Sequence, residues 1–529
     1  MSAAGSPTLR PAGNAVTASP WLIAVLVAFA AFMEVLDTTI ANVVLPYIAG
    51  GLGVSEDEAS WVVTTYLVAN AVSLTASSYF AKRLGRKRFF LICLALFTAS
   101  SVLCGFAPNL QSLLLFRILQ GLGGGGMVPV SQSILAAAFP PEKRSQGFAL
   151  FGIAVVVAPV VGPTLGGWIA DNFSWQWCFL INGPVGLVAL GLIGGLLPKS
   201  NEAPAAKETG GFDLVGFVLV ATFLGALEIA LDRGLEDDWY SSRFIVVVST
   251  ICALAFVLMI PWELSRRNPM IDVRMVATRQ FGASFVVMLV GGAILLATTQ
   301  YLPQLVQQNF GYTATSAGLV LTPGGVVTVF MMPVVAQLSS KVQPRYLIAA
   351  GAAICAYGMY DMTKINGDFS FWSFAFSRIY VGIGVPLIFL PIIAASYDGI
   401  PPQKTDMASA LINVARNTGG AIGISLGNNV LAHREQFHQS RLGELANPAT
   451  PQYQDTLKQA MDYFAAHGSS LAQAQQQAFA WIGQQLLTQA TLLAYIDVFW
   501  TLALVSLAAV PLALILRKVK LGGPVAVAH

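Results

Sequence analysis

The sequence predicts an all-α membrane protein of fourteen transmembrane helices: two six-helix halves with two additional helices between them. Three observations carry this. Charged residues make up 10% of the 529 residues and hydrophobic residues 55%, at a mean hydropathy of +0.67, whereas soluble domains carry about 25% charged residues. Apolar runs recur at the ~20-residue length a bilayer requires. Two short motifs return at nearly one offset.

The runs lie near 21–46, 58–81, 89–107, 111–138, 146–170, 179–197, 212–232, 242–263, 280–305, 315–338, 346–363, 369–396, 406–431 and 492–516. The first follows a polar 1–20 tail. It is too long for a signal-peptide core and no small-residue cleavage site follows it. With the N-terminus cytoplasmic, 20 of the 29 Lys and Arg fall in inner segments, six in outer segments and three within spans. The positive-inside rule then places both termini in the cytoplasm.

AKRLGRKRFF around Lys82 is echoed by SKVQPRYLI around Lys341, and Arg117-Ile-Leu-Gln-Gly121-Leu-Gly123 by Arg378-Ile-Tyr-Val-Gly382-Ile-Gly384. The offsets, 259 and 261 residues, divide the chain into halves at 21–198 and 279–516, with a 199–278 linker holding the two spare spans and a short tail at 517–529. Repeated halves are a transporter architecture with the substrate site at the midplane between them. The second half carries a polar, Gln-rich insertion at 432–491 on the outer side. Tyr453, Leu457, Met461 and Phe464, then Ala478, Trp481, Ile482 and Leu486, recur at helical spacing. Two amphipathic helices outside the membrane are expected, either folded on the protein itself or presenting a docking surface.

Ionisable residues within spans are costly and are functional candidates. Glu34 and Asp37 lie three apart on one face of the first span. Two carboxylates sharing a low-dielectric cavity repel each other, as suits groups that pick up and release protons; a hydrogen-bond anchor is the alternative reading. Arg117, deep in the fourth span, needs a partner, and Asp37 is the natural one. Arg378 and Arg416 need partners too, and Asp497, Glu228 and Asp232 are available. The fifth span contains Pro159, Gly162, Pro163, Gly166 and Gly167, a combination suited to a hinge or a tight helix seam. Polar residues at central depth, Asn70, Gln132, Gln300, Tyr301, Gln304, Asn413 and Arg416, are candidate substrate contacts, with packing or capping as the plainer reading.

Several classes are excluded. A net charge of +3, scattered along the chain, does not suit a nucleic-acid binder. The five cysteines stand apart, with no CxxC pair and no metal cluster. Gly123 to Gly126 are neither preceded by a strand nor followed by Lys-Ser/Thr, so no phosphate loop is present and ATP is not the energy source. No catalytic motif marks an enzyme and no cofactor is implied. A proton gradient is the expected energy source.

Leu36 to Pro46, Arg117 to Gly124, Gly162 to Gly167 and Trp175 to Pro184 together resemble the first-span signature, the fourth-span arginine motif, the fifth-span antiporter motif and the stretch before helix six of major facilitator superfamily drug:proton antiporters of the fourteen-helix class, specifically the EmrB-like multidrug efflux pumps. The resemblance covers about 20–520. It implies the major facilitator fold and an inner-membrane, proton-coupled exporter of drugs or toxic compounds, with proton coupling at Asp37, Glu34 and Arg117. It also implies a gating loop at Lys82, Arg83, Gly85, Arg86 and Lys87, an EmrA-like periplasmic adaptor and a TolC-like outer-membrane channel. The chain departs at Ser78 and Lys82, where the family has Gly and Asp, which puts an acidic gating latch in doubt, and at Gln176, where it has Arg. An exporter dedicated to one endogenous metabolite or lipid-like molecule is the alternative, and a membrane scaffold or sensor without transport a third.

Overall fold

The computed structural model describes residues 19–140, 143–197, 212–266, 269–367 and 369–518. Most of the 1–20 tail, linker residues 199–211 and the tail beyond 518 lie outside the described residues. The described chain is helical throughout, in nineteen α-helices. The first half comprises α1 (Pro20–Val43), α2 (Leu45–Leu52), α3 (Glu56–Leu84), α4 (Arg86–Gly105), α5 (Leu110–Gly124), α6 (Met127–Ala138), α7 (Arg144–Asn172), α8 (Trp175–Leu180) and α9 (Asn182–Leu196). Then come α10 (Leu214–Arg233), α11 (Arg243–Ser265) and α12 (Val273–Val276). The second half holds α13 (Arg279–Phe310), α14 (Ala314–Ser339), α15 (Pro344–Met362), α16 (Phe371–Ser396), α17 (Thr405–Leu445), α18 (Pro451–Ala466) and α19 (Leu471–Leu514).

Among the described residues, twelve spans are long and apolar enough to cross a membrane, counting α5–α6 and α8–α9 as one each. The remaining two expected spans, 346–363 and 406–431, are also helical, as α15 and the first part of α17. Local chemistry sets the boundaries. Ser55 and Glu58 form a reciprocal capping box that starts α3, and Gly85 turns the chain at φ +83° between α3 and α4. Gly468 at φ +96° and a second capping box, Ser470 with Gln473, start α19.

Packing repeats between the halves. α1 lies on α7 as α13 lies on α17, α3 on α5 as α14 on α16, and α4 on α9 as α15 on α19. The repeated glycines explain the match. A side chain at Gly121 would collide with the Tyr66 carbonyl of α3, and one at Gly382 with the Gly324 carbonyl of α14. Gly123 meets the α4 backbone at Phe97, and Gly384 meets α15 at Gly351 and Cys355. Close backbone approach substitutes for the hydrophobic drive that lipid cannot provide.

α7 is wedged between the halves. Its Gly162 and Gly166 face Thr39 and Ile40 of α1, while its Val160 and Thr164 face Gly325 and Gly318 of α14. α10 packs on α3 and also reaches α17, burying Val220 and Leu224 with Leu74 and Val414. α10 therefore bridges the seam between the halves, and α11 packs on its outer side. α11 exposes Val247, Leu254, Val257 and Leu258, as a lipid-facing helix does.

The 432–491 insertion differs from the sequence expectation. Its first part is the uninterrupted continuation of α17, 41 residues long, and its last part is the start of α19, 44 residues long. Only α18 is a separate helix, with Leu457 and Ala460 packed on Ala478 of α19. Polarity changes at the membrane boundary, but helical hydrogen bonding has no reason to stop there.

Candidate functional site

The site is built where α1, α3, α5 and α9 converge. Asp37 is 2% exposed and Arg117 fully buried. Arg117 Nη1 donates to Asp37 Oδ2 at 2.7 Å, and Gln120 Nε2 and Asn182 Nδ2 donate to Asp37 Oδ1 at 2.9 and 2.7 Å. Arg117 also donates from Nε to the Val62 carbonyl at 3.0 Å and from Nη1 to Gln120 Oε1 at 2.8 Å. Its Nη2 has no hydrogen-bond partner, but the guanidinium carbon lies 4.2 Å from the centre of the Tyr66 ring. A cation on an aromatic face recovers part of its lost solvation. A buried pair this well satisfied holds its geometry, and removing one member leaves the other charged and alone.

Glu34, one turn earlier on α1, accepts from Asn70 Nδ2 at 2.9 Å and from the Tyr66 hydroxyl at 3.3 Å, both on Oε1. Asn70 thus serves Glu34 and does not line the central cavity. That cavity lies between the halves, walled by Phe148, Phe151, Met288, Met332 and Phe389, with Gln132, Asn413 and Arg416 as its polar members. Of the other sequence candidates, Gln300 and Gln304 are half-buried on α13 and do not line it. Tyr301 is fully buried, its hydroxyl donating to the Ile424 carbonyl at 2.5 Å and lying 2.9 Å from Asn428 Oδ1, so it ties α13 to α17.

The carboxylates suggested for Arg378 and Arg416 are engaged elsewhere or out of reach. Asp497 lies 2.5 Å from Arg434 Nε and 2.7 Å from His438 Nε2, and Asp232 accepts from Thr64 of α3. Arg378 instead donates to the Thr299 hydroxyl at 3.1 Å, leaving Nη1 unpaired. Arg416 donates to Asn417 Oδ1 at 3.2 and 3.1 Å.

Below the cavity the two halves are latched at the end of the bundle that carries the basic loops. Arg86 Nε meets Asp406 Oδ1 at 2.9 Å across the halves, the two side chains 12% and 7% exposed. Lys82 stands in the field of the same carboxylate. The carboxylate that meets this basic loop comes from the start of α17 in the other half. Lys87 caps the end of α9 through the Gly194 and Leu197 carbonyls, and Arg83 donates to the Tyr79 hydroxyl at 2.8 Å. Ser409 Oγ donates to the Pro129 carbonyl at 2.8 Å and to Gln132 Oε1 at 3.0 Å, and Asn413 Nδ2 to Gln132 Oε1 at 2.8 Å. The Phe148 and Tyr397 rings stack at 5.6 Å.

Sequence reasoning had not singled out Gln120, Asn182, Asp406 or Ser409. Gln120 and Asn182 lie inside the two motif stretches quoted above, which was the available signal. Asp406 and Ser409 had none.

A model of the Major Facilitator Superfamily matches residues 27–424. The multidrug export protein EmrB of Escherichia coli strain K12 is 36% identical over 487 residues, covering 90% of this chain and 92% of that protein. The fatty acid resistance protein FarB of Neisseria gonorrhoeae is 37% identical over 441 residues, covering 83% and 86%. The solved human organic anion transporter TETRAN superposes at a TM-score of 0.56 with 14% identity, covering 93% of this chain and 99% of that one, a likeness of fold alone. The chain belongs to the major facilitator superfamily and, within it, to the EmrB-like multidrug efflux transporters, membrane carriers rather than enzymes.

Proposed function

We propose that the chain is a proton-driven antiporter that exports hydrophobic or amphipathic drugs and toxic compounds across the bacterial inner membrane by alternating access. The observation that carries this reading is the Asp37–Arg117 pair, buried and closed by Gln120 and Asn182. A proton on Asp37 cancels the charge that holds Arg117, and the cluster joining α1, α5 and α9 must rearrange. Thr39 and Ile40 follow Asp37 and rest on Gly162 and Gly166 of α7, whose other side bears on α14. Protonation is thereby linked to the seam between the halves. The Arg86–Asp406 and Gln132–Asn413 contacts must break for the cavity to open towards the basic end.

In this reading fourteen helices span the bilayer, with α15 and α17 among them, and both termini are cytoplasmic. The basic end faces the cytoplasm and the extension of α17, α18 and α19 faces the periplasm. That extension would meet an EmrA-like adaptor leading to a TolC-like channel.

The test is gradient-driven dye or drug uptake into everted vesicles, wild type against Asp37→Asn. Uptake is expected in the wild type and lost in the variant. Equal uptake after the gradient is collapsed refutes antiport. For the assembly, replacing 446–470 by a short turn should abolish adaptor capture while uptake persists, and unchanged capture refutes the docking role.

A further inference from the structure

At the end of the bundle away from the Arg86–Asp406 latch, the turn between α10 and α11 crosses the seam on the α3–α17 side. Asp238 and Trp239 in this turn have left-handed backbone, at φ +58° and +49°, alone among the described non-glycine residues. For a side chain as bulky as tryptophan this conformation is costly and persists only where its surroundings impose it. Three contacts do so. The Trp239 amide donates to the Gly234 carbonyl at 2.6 Å. The indole lies on Gly234, where any side chain would meet the ring at 2.7 Å. Trp239 Nε1 donates to Asn429 Oδ1 of α17 at 2.6 Å, and the Asn429 amide nitrogen is itself held by the Ser425 carbonyl at 2.7 Å. Asn429 stands 23 residues, about 35 Å, further along α17 than Asp406.

The same turn is gripped by the first half through Arg233, which is 3% exposed. Arg233 pairs with Asp57 at the start of α3 at 3.0 Å and with Glu236 at 2.5 Å. It also donates to Ser60 Oγ at 2.7 Å and to the Asp57 carbonyl at 3.1 Å, and its guanidinium carbon lies 5.0 Å from the centre of the Trp61 ring. The turn thus joins the halves unequally, by a charged network on α3 and by one neutral hydrogen bond on α17. Charge-assisted bonds are roughly twice as strong as neutral ones, so when the halves part at this end the Trp239–Asn429 bond is the one that yields.

We propose that Asp238 and Trp239 form a sprung catch that holds the outer end of the transport path closed. This rests on the reading of alternating access and names residues that hold one of its states. While Trp239 is hooked on Asn429, the turn keeps its left-handed backbone. Unhooking lets both residues return to right-handed backbone, which offsets part of the lost bond. The catch therefore fixes where the halves close without making that closure hard to undo.

The experiment reads the opening directly. Val156, in the cavity wall, is replaced by Cys in the full-length protein, and a membrane-impermeant maleimide is applied to right-side-out or everted vesicles without a gradient. The chain without Val156→Cys gives the background from its own five cysteines. Asn429→Leu and Trp239→Phe should each raise labelling from the outer face about fivefold, the size of one neutral hydrogen bond, and lower it from the inner face. Asp238→Gly, which suits the left-handed turn, should lower outer labelling about twofold. Outer labelling unchanged in both unhooked variants overturns the catch. Faster labelling from both faces with a lower thermal midpoint also overturns it, being the mark of a loosened fold, as does an Asp238→Gly variant that labels faster from outside. Drug export is measured separately: its absence from a chain with the expected labelling refutes the transport reading and leaves the catch standing.

Discussion

Arg117 and Arg378 occupy matching places in the two halves, 261 residues apart, each followed by glycines that press against the corresponding neighbouring helices. Their surroundings differ in one decisive atom set. Arg117 faces the carboxylate of Asp37, and Arg378 faces the hydroxyl of Thr299, which stands 262 residues after Asp37. The framework of the repeat has been kept in both halves, while among the described residues a carboxylate hydrogen-bonded to the arginine is present only in the first. A hydroxyl does not titrate in this role, so under the proposed antiport the second half would supply shape and a fixed positive charge, and the first the proton exchange.

The largest effect should come from removing that difference. Asp37→Asn should lower gradient-driven uptake roughly a hundredfold, because the buried arginine loses its counter-charge, whereas Thr299→Val should leave uptake within about twofold. Comparable losses in both variants would end the distinction between the halves. Next, Gly121→Val and Gly382→Val should each destabilise the protein by about 1–3 kcal/mol, read as reduced thermal midpoints of similar size. A large asymmetry would show that the repeat packs less alike than its backbone contacts indicate. Thr299→Asp should be tolerated beside Arg378 but lower the thermal midpoint in an Arg378→Leu background, where the new carboxylate is stranded. Uptake by Asp37→Asn should not recover when Thr299→Asp is added, since α7 senses α1 and not α13. The smallest change in uptake, several-fold, concerns the latch: Arg86→Asp sets a second carboxylate against the buried Asp406, and Asp406→Arg added to it should recover most of the loss. A double variant worse than both single ones would show that the ion pair does not hold the halves.

The sequence carried much of this arrangement, unevenly. Asp37, Arg117 and the glycines of the repeat could be read because a charge inside an apolar run and a motif at a fixed offset are visible locally. Gln120 and Asn182 went unnoticed because neutral amides raise no alarm in a hydropathy profile, even inside a motif. Asp406 is 320 residues from Arg86, and nothing local says that the start of α17 docks beneath the other half. Arg378 and Arg416 do without carboxylate partners for a related reason: half-satisfied guanidiniums are tolerable where an aromatic, hydroxyl or amide neighbour shares the load. Both stretches of the insertion expected to be helical are so, in α18 and the start of α19, but polarity gave no sign that α17 and α19 continue unbroken into it.

That continuity has a mechanical consequence. α17 starts in the latch at Asp406, passes Ser409, Asn413 and Arg416 beside the cavity, and ends at Leu445. Forty-one residues make a rod about 60 Å long, twice the ~30 Å of the bilayer core. Beyond the bundle it is strapped to α19 by Arg434 and His438 on Asp497 and by Glu435, which accepts from Thr491 at 2.6 Å. A rocking of the second half by roughly 15°, of the order seen for rigid-body transitions, would sweep a tip about 30 Å out through about 8 Å. The stroke would be greater at the tip than at the latch that starts it, so in the proposed cycle α17 would act as a lever arm, turning each turnover at the midplane into movement at a distance.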